Sequence, residues 1–250
     1  MSDLPEPSRP PYDFLSDPLI LLFLAIGAPI TTMLGLLAGR RVFLLVMNTL
    51  VIAPFFFLAV RRGRPLRAIG LTLAWCLFQM LSIAMLSLAV PQQAESSIAQ
   101  GIEYRSEMVQ WIATGRSLEN VLAFFLPAQA RNLGLLVFVT LLTGGLGGLF
   151  MIAGLINYTG FYIAHLVAHA TRPALLIGVA WPIWSLAEVA GYATCCAVLA
   201  EPLLCLNWRA PLRRLPLLAF GLSLLILDAL LRLLAAPLWR ALLQKATSLG

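Results

Sequence analysis

Charge is scarce in this sequence. Asp, Glu, Lys and Arg make up 11% of its 250 residues, and Lys occurs once, at Lys245, beside 16 Arg. A soluble domain draws about a quarter of its residues from the charged set, so these residues do not suffice for a water-facing surface. Enzyme signatures are missing as well: there is no GxSxG, no HExxH, no P-loop and no paired-Asp pattern of an intramembrane protease. Ser117 and Ser185 have no His and acid near them in sequence. A non-enzymatic protein without catalytic residues is therefore expected. The four cysteines, Cys76, Cys195, Cys196 and Cys205, show neither zinc spacing nor a disulfide framework, and read as small helix-filling residues. Neither a metal nor a cofactor is expected. Residues 1–17 are acidic and proline-rich, lack the basic n-region of a signal peptide, and read as a short polar tail.

What is abundant is apolar. Hydrophobic residues are 60% of the chain and the mean hydropathy is +0.90, which makes a bilayer the solvent. The apolar runs are about 20 residues long, the length a helix needs to cross a hydrocarbon core of roughly 30 Å. Barrel strands would alternate over about half that length. The fold class is all-α: a polytopic transmembrane helical bundle with six or seven membrane segments and an external amphipathic helical segment between the third and fourth. The runs are 18–39, 42–60, 68–90, 132–158, 160–170, 173–206 and 216–237. The chain divides into a 1–17 tail, N-terminal transmembrane helices over 18–90, an external segment over 91–131, a C-terminal transmembrane region over 132–237 and a 238–250 tail.

Arginine fixes the expected orientation, because short Arg-dense loops remain cytoplasmic. Arg61, Arg62, Arg64 and Arg67 place their loop inside. The 91–131 stretch then lies outside, and Arg209, Arg213 and Arg214 return to the cytoplasm. Arg40 and Arg41 fall on the wrong side of this scheme unless Pro29 and Pro54 mark tilted or re-entrant segments. Within 91–131, Glu95, Glu103, Arg105, Glu107, Arg116 and Glu119 nearly balance. Met108, Trp111, Ile112, Val121, Phe124 and Phe125 recur at helix-like intervals, as in a packed cap or a partner-docking surface. The formal charge of +6 gathers at helix ends and not along one face, so no nucleic-acid partner is expected.

Gly144, Gly145, Gly147 and Gly148 form a face without side-chain bulk in the fourth segment, suited to helix packing. Charges within apolar segments need individual explanations. Glu188 lies near the middle of 173–206 beside Pro182, Ser185, Gly191 and Tyr192. It is either a locked structural acid or part of an ion or proton site. Asp228 and Arg232, four apart, share a helix face and can pair with each other, or Arg232 can reach Glu188 across helices. Glu201 lies near a cytoplasmic end, where it can reach water. His165 and His169 share a face, which a pigment or haem could use, although no third ligand is in sight.

From about residue 121 to 198 the order of features resembles the stage II sporulation protein M family. Arg131 and Asn132 precede a Gly-rich helix, Asn157 and Gly160 close it, and Trp184 to Glu188 holds the place of a Pro-His-Gly-x-x-Glu pattern, with Trp184 for the His and Ser185 for the Gly. The resemblance implies roles for Asn132, Asn157, Gly160 and Glu188, and a non-enzymatic membrane scaffold linked in spore formers to peptidoglycan-remodelling partners. The leading expectation is thus a scaffold or subunit of a membrane complex. A transporter or channel subunit with a polar path around Glu188 is the alternative, and a pigment- or haem-binding subunit through His165 and His169 is the third. Expected partners are the lipid bilayer and other membrane subunits or a second copy in a homodimer; the expected location is a prokaryotic plasma membrane.

Overall fold

The computed structural model describes residues 18–116 and 122–249. The 1–17 tail, and Ser117, Glu119 and Val121 of the 91–131 stretch, lie outside the described residues. Among the described residues the helices run α1 Leu19–Ala38, α2 Arg41–Arg61, α3 Pro65–Ala89, α4 Pro91–Ser97, α5 Gly101–Thr114, α6 Leu122–Thr143, α7 Leu146–Ala168, α8 Pro173–Val179, α9 Ile183–Leu204, α10 Ala210–Arg213 and α11 Leu215–Ala246. Seven of them, α1, α2, α3, α6, α7, α9 and α11, are long and apolar enough to cross a bilayer. The chain is a multi-pass helical membrane protein.

Successive spans reverse direction, so their connections sort into two ends. At one end lie the 62–64 connection, the 144–145 turn and 205–214. They touch: Arg214 Nη2 donates to the Gly63 carbonyl at 3.1 Å, and Cys205 Sγ lies 3.5 Å from the Val60 carbonyl. The other end gathers the 39–40 turn, α4, α5 and 169–182, where Ser97 Oγ donates to the Leu36 carbonyl at 3.3 Å and the Thr171 amide to Ala246 at 2.9 Å. The two Arg clusters thus share one end, and the amphipathic helices cap the other. Arg40 and Arg41 sit at the cap end. Pro29 and Pro54 are inside continuous helices of 20 and 21 residues, so no re-entrant segment relieves them, and the charge rule has an exception there.

The packed centre is α3, α7 and α9, and Trp75 on α3 and Tyr162 on α7, with Phe56 on α2, are among the largest fully buried side chains. α9 is buried on nearly all sides from Tyr192 to Pro202. Glycines set its distance from α11: a Cβ at Gly191 would stand 2.6 Å from Leu225, and one at Gly221 would stand 3.0 Å from Thr194. Backbones in this pair approach closely because both surfaces lack bulk. The outward faces carry Phe124, Phe138, Leu142, Phe220, Ile226 and Leu234, as lipid contact requires.

Several expected boundaries change. The 132–158 segment is two spans, because Gly144 and Gly145 take left-handed φ of 63° and 101° and turn the chain between α6 and α7. Two of the four glycines expected to pack a helix face are therefore a hairpin turn. Gly147 and Gly148 do pack: Cβ atoms there would stand 2.8 Å from Val139 and 2.6 Å from Cys196 Sγ. The 160–170 run is the continuation of α7. The external segment stops short of 131, since α6 begins at Leu122 and carries Pro127 and Arg131 within it. Finally, α11 does not end at Pro237 in a tail; it runs on to Ala246, over 32 residues or about 48 Å.

That extension holds the cap. Arg240 donates to the carbonyls of Ile112 and Ala113, and Gln244 to Ile112, each at 2.8 Å. These bonds satisfy the C-terminal carbonyls of α5, which no helical amide can reach. Met108, Trp111 and Ile112 of α5 are buried, and Trp184 stands edge-on to both Trp111 and Trp239, at 6.0 and 6.1 Å. The apolar face of the cap is thus used on the bundle itself and is not offered outward.

Gly145→Val is expected to destabilise the protein by about 2–5 kcal/mol, adding backbone strain to a clash with Phe56, whose ring would lie 2.6 Å from the new Cβ. Gly154→Ala, with open space beyond a Leu45 contact at 3.8 Å, is expected to change the melting midpoint in detergent little. Equal midpoints for the two variants would contradict this account of the turn. In sealed vesicles, a membrane-impermeant maleimide is expected to label Ser106→Cys and Arg62→Cys from opposite sides; labelling of both from one side would break the two-ended arrangement.

Candidate functional site

The charges that composition made conspicuous come together. Arg232 on α11 donates through Nε to Asp228 Oδ1 and through Nη2 to Glu188 Oε2 on α9, each at 2.8 Å. The intrahelical and interhelical pairings are both made, by one guanidinium. Asp228 is fully buried, and Glu188 and Arg232 are 5% and 6% exposed. Spacing explains the first contact, since residues four apart share a helix face. The close approach at Gly191 and Gly221 explains the second, because it brings the α9 acid within reach of α11.

α6 extends the network. Gln129 Nε2 lies 3.5 Å from Asp228 Oδ2, and Tyr192 Oη donates to Gln129 Oε1 at 3.4 Å. Phe125, one turn before Gln129, lays its ring 5.0 Å from the Arg232 guanidinium carbon. A guanidinium over an aromatic face keeps part of its solvation in a dry setting.

Glu188 and Arg232 line a cavity of about 260 Å³. Its walls follow helical spacing: Phe125, Gln129 and Asn132 from α6, Leu155 and Tyr158 from α7, Ser185 and Glu188 from α9, and Tyr104 and Glu107 from the cap helix α5. The cavity therefore lies under the cap. Glu188 is the sixth residue of α9, about 8 Å from the helix start, and not at the middle of a long span as expected. The reason is Pro182. It does not kink a continuous helix but precedes α9 in an extended conformation, ψ 124°, and separates α8 from it.

The remaining sequence candidates divide. Asn132 joins the cavity, although it lies inside α6 and not at a helix head. Asn157 and Gly160 lie within α7 and do not close it. Asn157 accepts from Asn48 Nδ2 on α2 at 3.0 Å, and a Cβ at Gly160 would stand 2.9 Å from Ile83 on α3. Both fasten α7 to its neighbours away from the cavity. Glu201 does not reach open water: it is 5% exposed and pairs with Arg214 at 3.4 Å. His165 and His169 lie with ring centroids 4.3 Å apart and planes tilted by 44°, and His169 Nδ1 lies 2.9 Å from the His165 carbonyl. Among the described residues, no three His, Cys, Asp or Glu side chains converge as metal ligands would.

Sequence reasoning missed Gln129, Tyr104 and Tyr158 as site residues. A signal existed for one of them: Gln129 and Asn132 are an i, i+3 polar pair in an apolar run, so they share a face. Assigning Gln129 to an external segment hid it.

Fold and site together define the class, a multi-pass helical membrane protein, with seven candidate spans among the described residues, in which a buried charge network lines a cavity at one end. No family model, curated protein or solved structure matches the chain.

The network makes a differential prediction. Arg232→Leu removes the guanidinium that both buried carboxylates bind and is expected to cost about 3–5 kcal/mol, read as lost monodisperse protein or a lowered melting midpoint. Glu188→Gln keeps the Asp228 pair and a hydrogen-bonding group at 188, and is expected to cost less than about 1 kcal/mol. Equal losses for both would show that Arg232 is not the centre of the network.

Proposed function

We propose that this membrane protein is a transporter or channel subunit whose cap-end cavity takes a small cationic solute at Glu188. One observation carries the reading: two buried carboxylates share a single guanidinium at the wall of a cavity. Counted formally, Glu188, Asp228 and Arg232 carry two negative charges and one positive. Buried excess charge is costly, and a cation entering the cavity offsets it. Tyr104, Tyr158, Asn132 and Ser185 supply neutral oxygens and amide groups around it, and the tilted rings of Tyr104 and Tyr158 lie 4.6 Å apart along its wall.

The second reading is the non-enzymatic scaffold or complex subunit implied by resemblance to the stage II sporulation protein M family. The observation favouring it is that Arg232 ties α9 to α11 from within, a locking role that needs no solute. The bilayer in question is taken to be a prokaryotic plasma membrane, and other subunits or a second copy are the protein partners this reading needs.

Reconstituted proteoliposomes separate the two. Uptake of sodium, potassium, protons and methylammonium is measured for the wild type, for Glu188→Gln and for Glu103→Gln, which changes an exposed acid on the cap outside the cavity. Transport requires flux of at least one probe above empty liposomes, lost at least tenfold in Glu188→Gln and kept in Glu103→Gln. Wild-type flux no greater than that of empty vesicles, or flux unchanged by Glu188→Gln, would overturn the transport reading in favour of the scaffold.

A further inference from the structure

The cavity under the cap does not account for the opposite end of the molecule, where the arginines gather. A second, larger hollow of about 720 Å³ opens there between the starts of α3 and α11. Arg64, Arg67, Arg213 and Arg214 line it, with Leu66, Leu217 and Phe220 continuing its wall. We propose that this hollow is a binding site for the headgroup of an anionic phospholipid.

The arginines meet there because of two local features. Arg64 and Arg214 are the residues immediately before α3 and α11, so each stands at a helix start, on the level where the spans leave the hydrocarbon. Gly63, at φ 66°, turns the 62–64 connection so that its carbonyl faces α11, and Arg214 donates to that carbonyl at 3.1 Å. Arg214 also pairs with Glu201 at 3.4 Å. These two contacts fix Arg214 as a strut between the helices and hold the hollow open. A buried acid, Glu201, is thus committed to positioning a guanidinium at the rim.

Composition then selects the ligand. Guanidinium forks match phosphate oxygens in geometry and charge, and the amide-rich starts of α3 and α11 carry no side-chain cap, which adds favourable potential for an anion. A soluble phosphate would need nothing more. The wall, however, continues from the arginines into Leu66, 71% exposed, and Phe220, 56% exposed, on the lipid-facing side of the same helices. Basic groups above and open apolar surface below are the order of parts in a phospholipid: a phosphodiester at the headgroup level with acyl chains beneath it. Basic pockets between membrane helices recognise anionic headgroups on this basis.

The test uses the full chain in nanodiscs of phosphatidylcholine mixed equally with phosphatidylglycerol, followed by native mass spectrometry of the protein with its retained lipids. The wild type is expected to retain phosphatidylglycerol over phosphatidylcholine. Arg64→Gln and Arg213→Gln are each expected to lower that preference about fivefold, the ratio that corresponds to about 1 kcal/mol per arginine. Arg209→Gln, at the same end but outside the hollow, is expected to leave it unchanged, and size-exclusion profiles with helical circular dichroism check that each variant is folded. Retention without headgroup preference, or a loss as large in Arg209→Gln as in Arg64→Gln, would overturn the proposal. So would melting experiments in which inorganic phosphate stabilises the wild type as strongly as phosphatidylglycerol, since that would assign the arginines to a soluble anion.

Discussion

The structure depends on a single guanidinium. Arg232 is placed where apolar surroundings forbid an isolated charge, and Asp228 beneath it and Glu188 across from it accept its hydrogens at 2.8 Å. The dependence runs both ways, since both acids bind the same guanidinium. Closeness of α9 and α11 is the condition for the arrangement, and it rests on Gly191 and Gly221. Packing and electrostatics are therefore one problem here: a side chain added at either glycine would separate the charges as well as the helices.

Much of the fold was legible in the sequence because bilayer thickness sets helix length. The first three spans follow the apolar runs to within a few residues, and the Arg clusters at 61–67 and 209–214 share an end as the charge pattern required. Helix ends inside apolar stretches were harder. Gly144 and Gly145 read as packing residues because hydropathy does not change across them, whereas their backbone angles, invisible in composition, decide that they are a turn. Pro182 and Pro237 show the same ambiguity with opposite outcomes. The first separates two helices, and the second sits inside one, and local sequence does not distinguish them.

The site was half legible. Glu188, Asp228 and Arg232 stood out because charge is costly in such surroundings, and Asn132 was named on a resemblance and joins the cavity for a different reason, its helical spacing from Gln129. Tyr104 and Glu107 come from a cap helix whose position over the cavity depends on Arg240 and Gln244, more than 120 residues away in sequence. No local pattern announces a contact of that kind. Asn157 and Gly160, named with them, belong to the fastening of α7 onto α2 and α3.

The length of α11 has a mechanical consequence. One continuous helix begins at the Arg214 strut, carries Asp228 and Arg232 along its middle and ends beyond the hydrocarbon with Arg240 gripping the cap. From Arg214 to Arg240 the lever arm is about 39 Å, so a tilt of about 5° at its base displaces the grip by roughly 3 Å, comparable to the length of a hydrogen bond. Pro237 removes one backbone bond between Arg232 and Arg240, which makes that stretch the softest part of the rod. The cavity wall that Tyr104 and Glu107 provide on the gripped helix is thus joined, through one helix, to the Arg214 strut at the opposite end of the bundle.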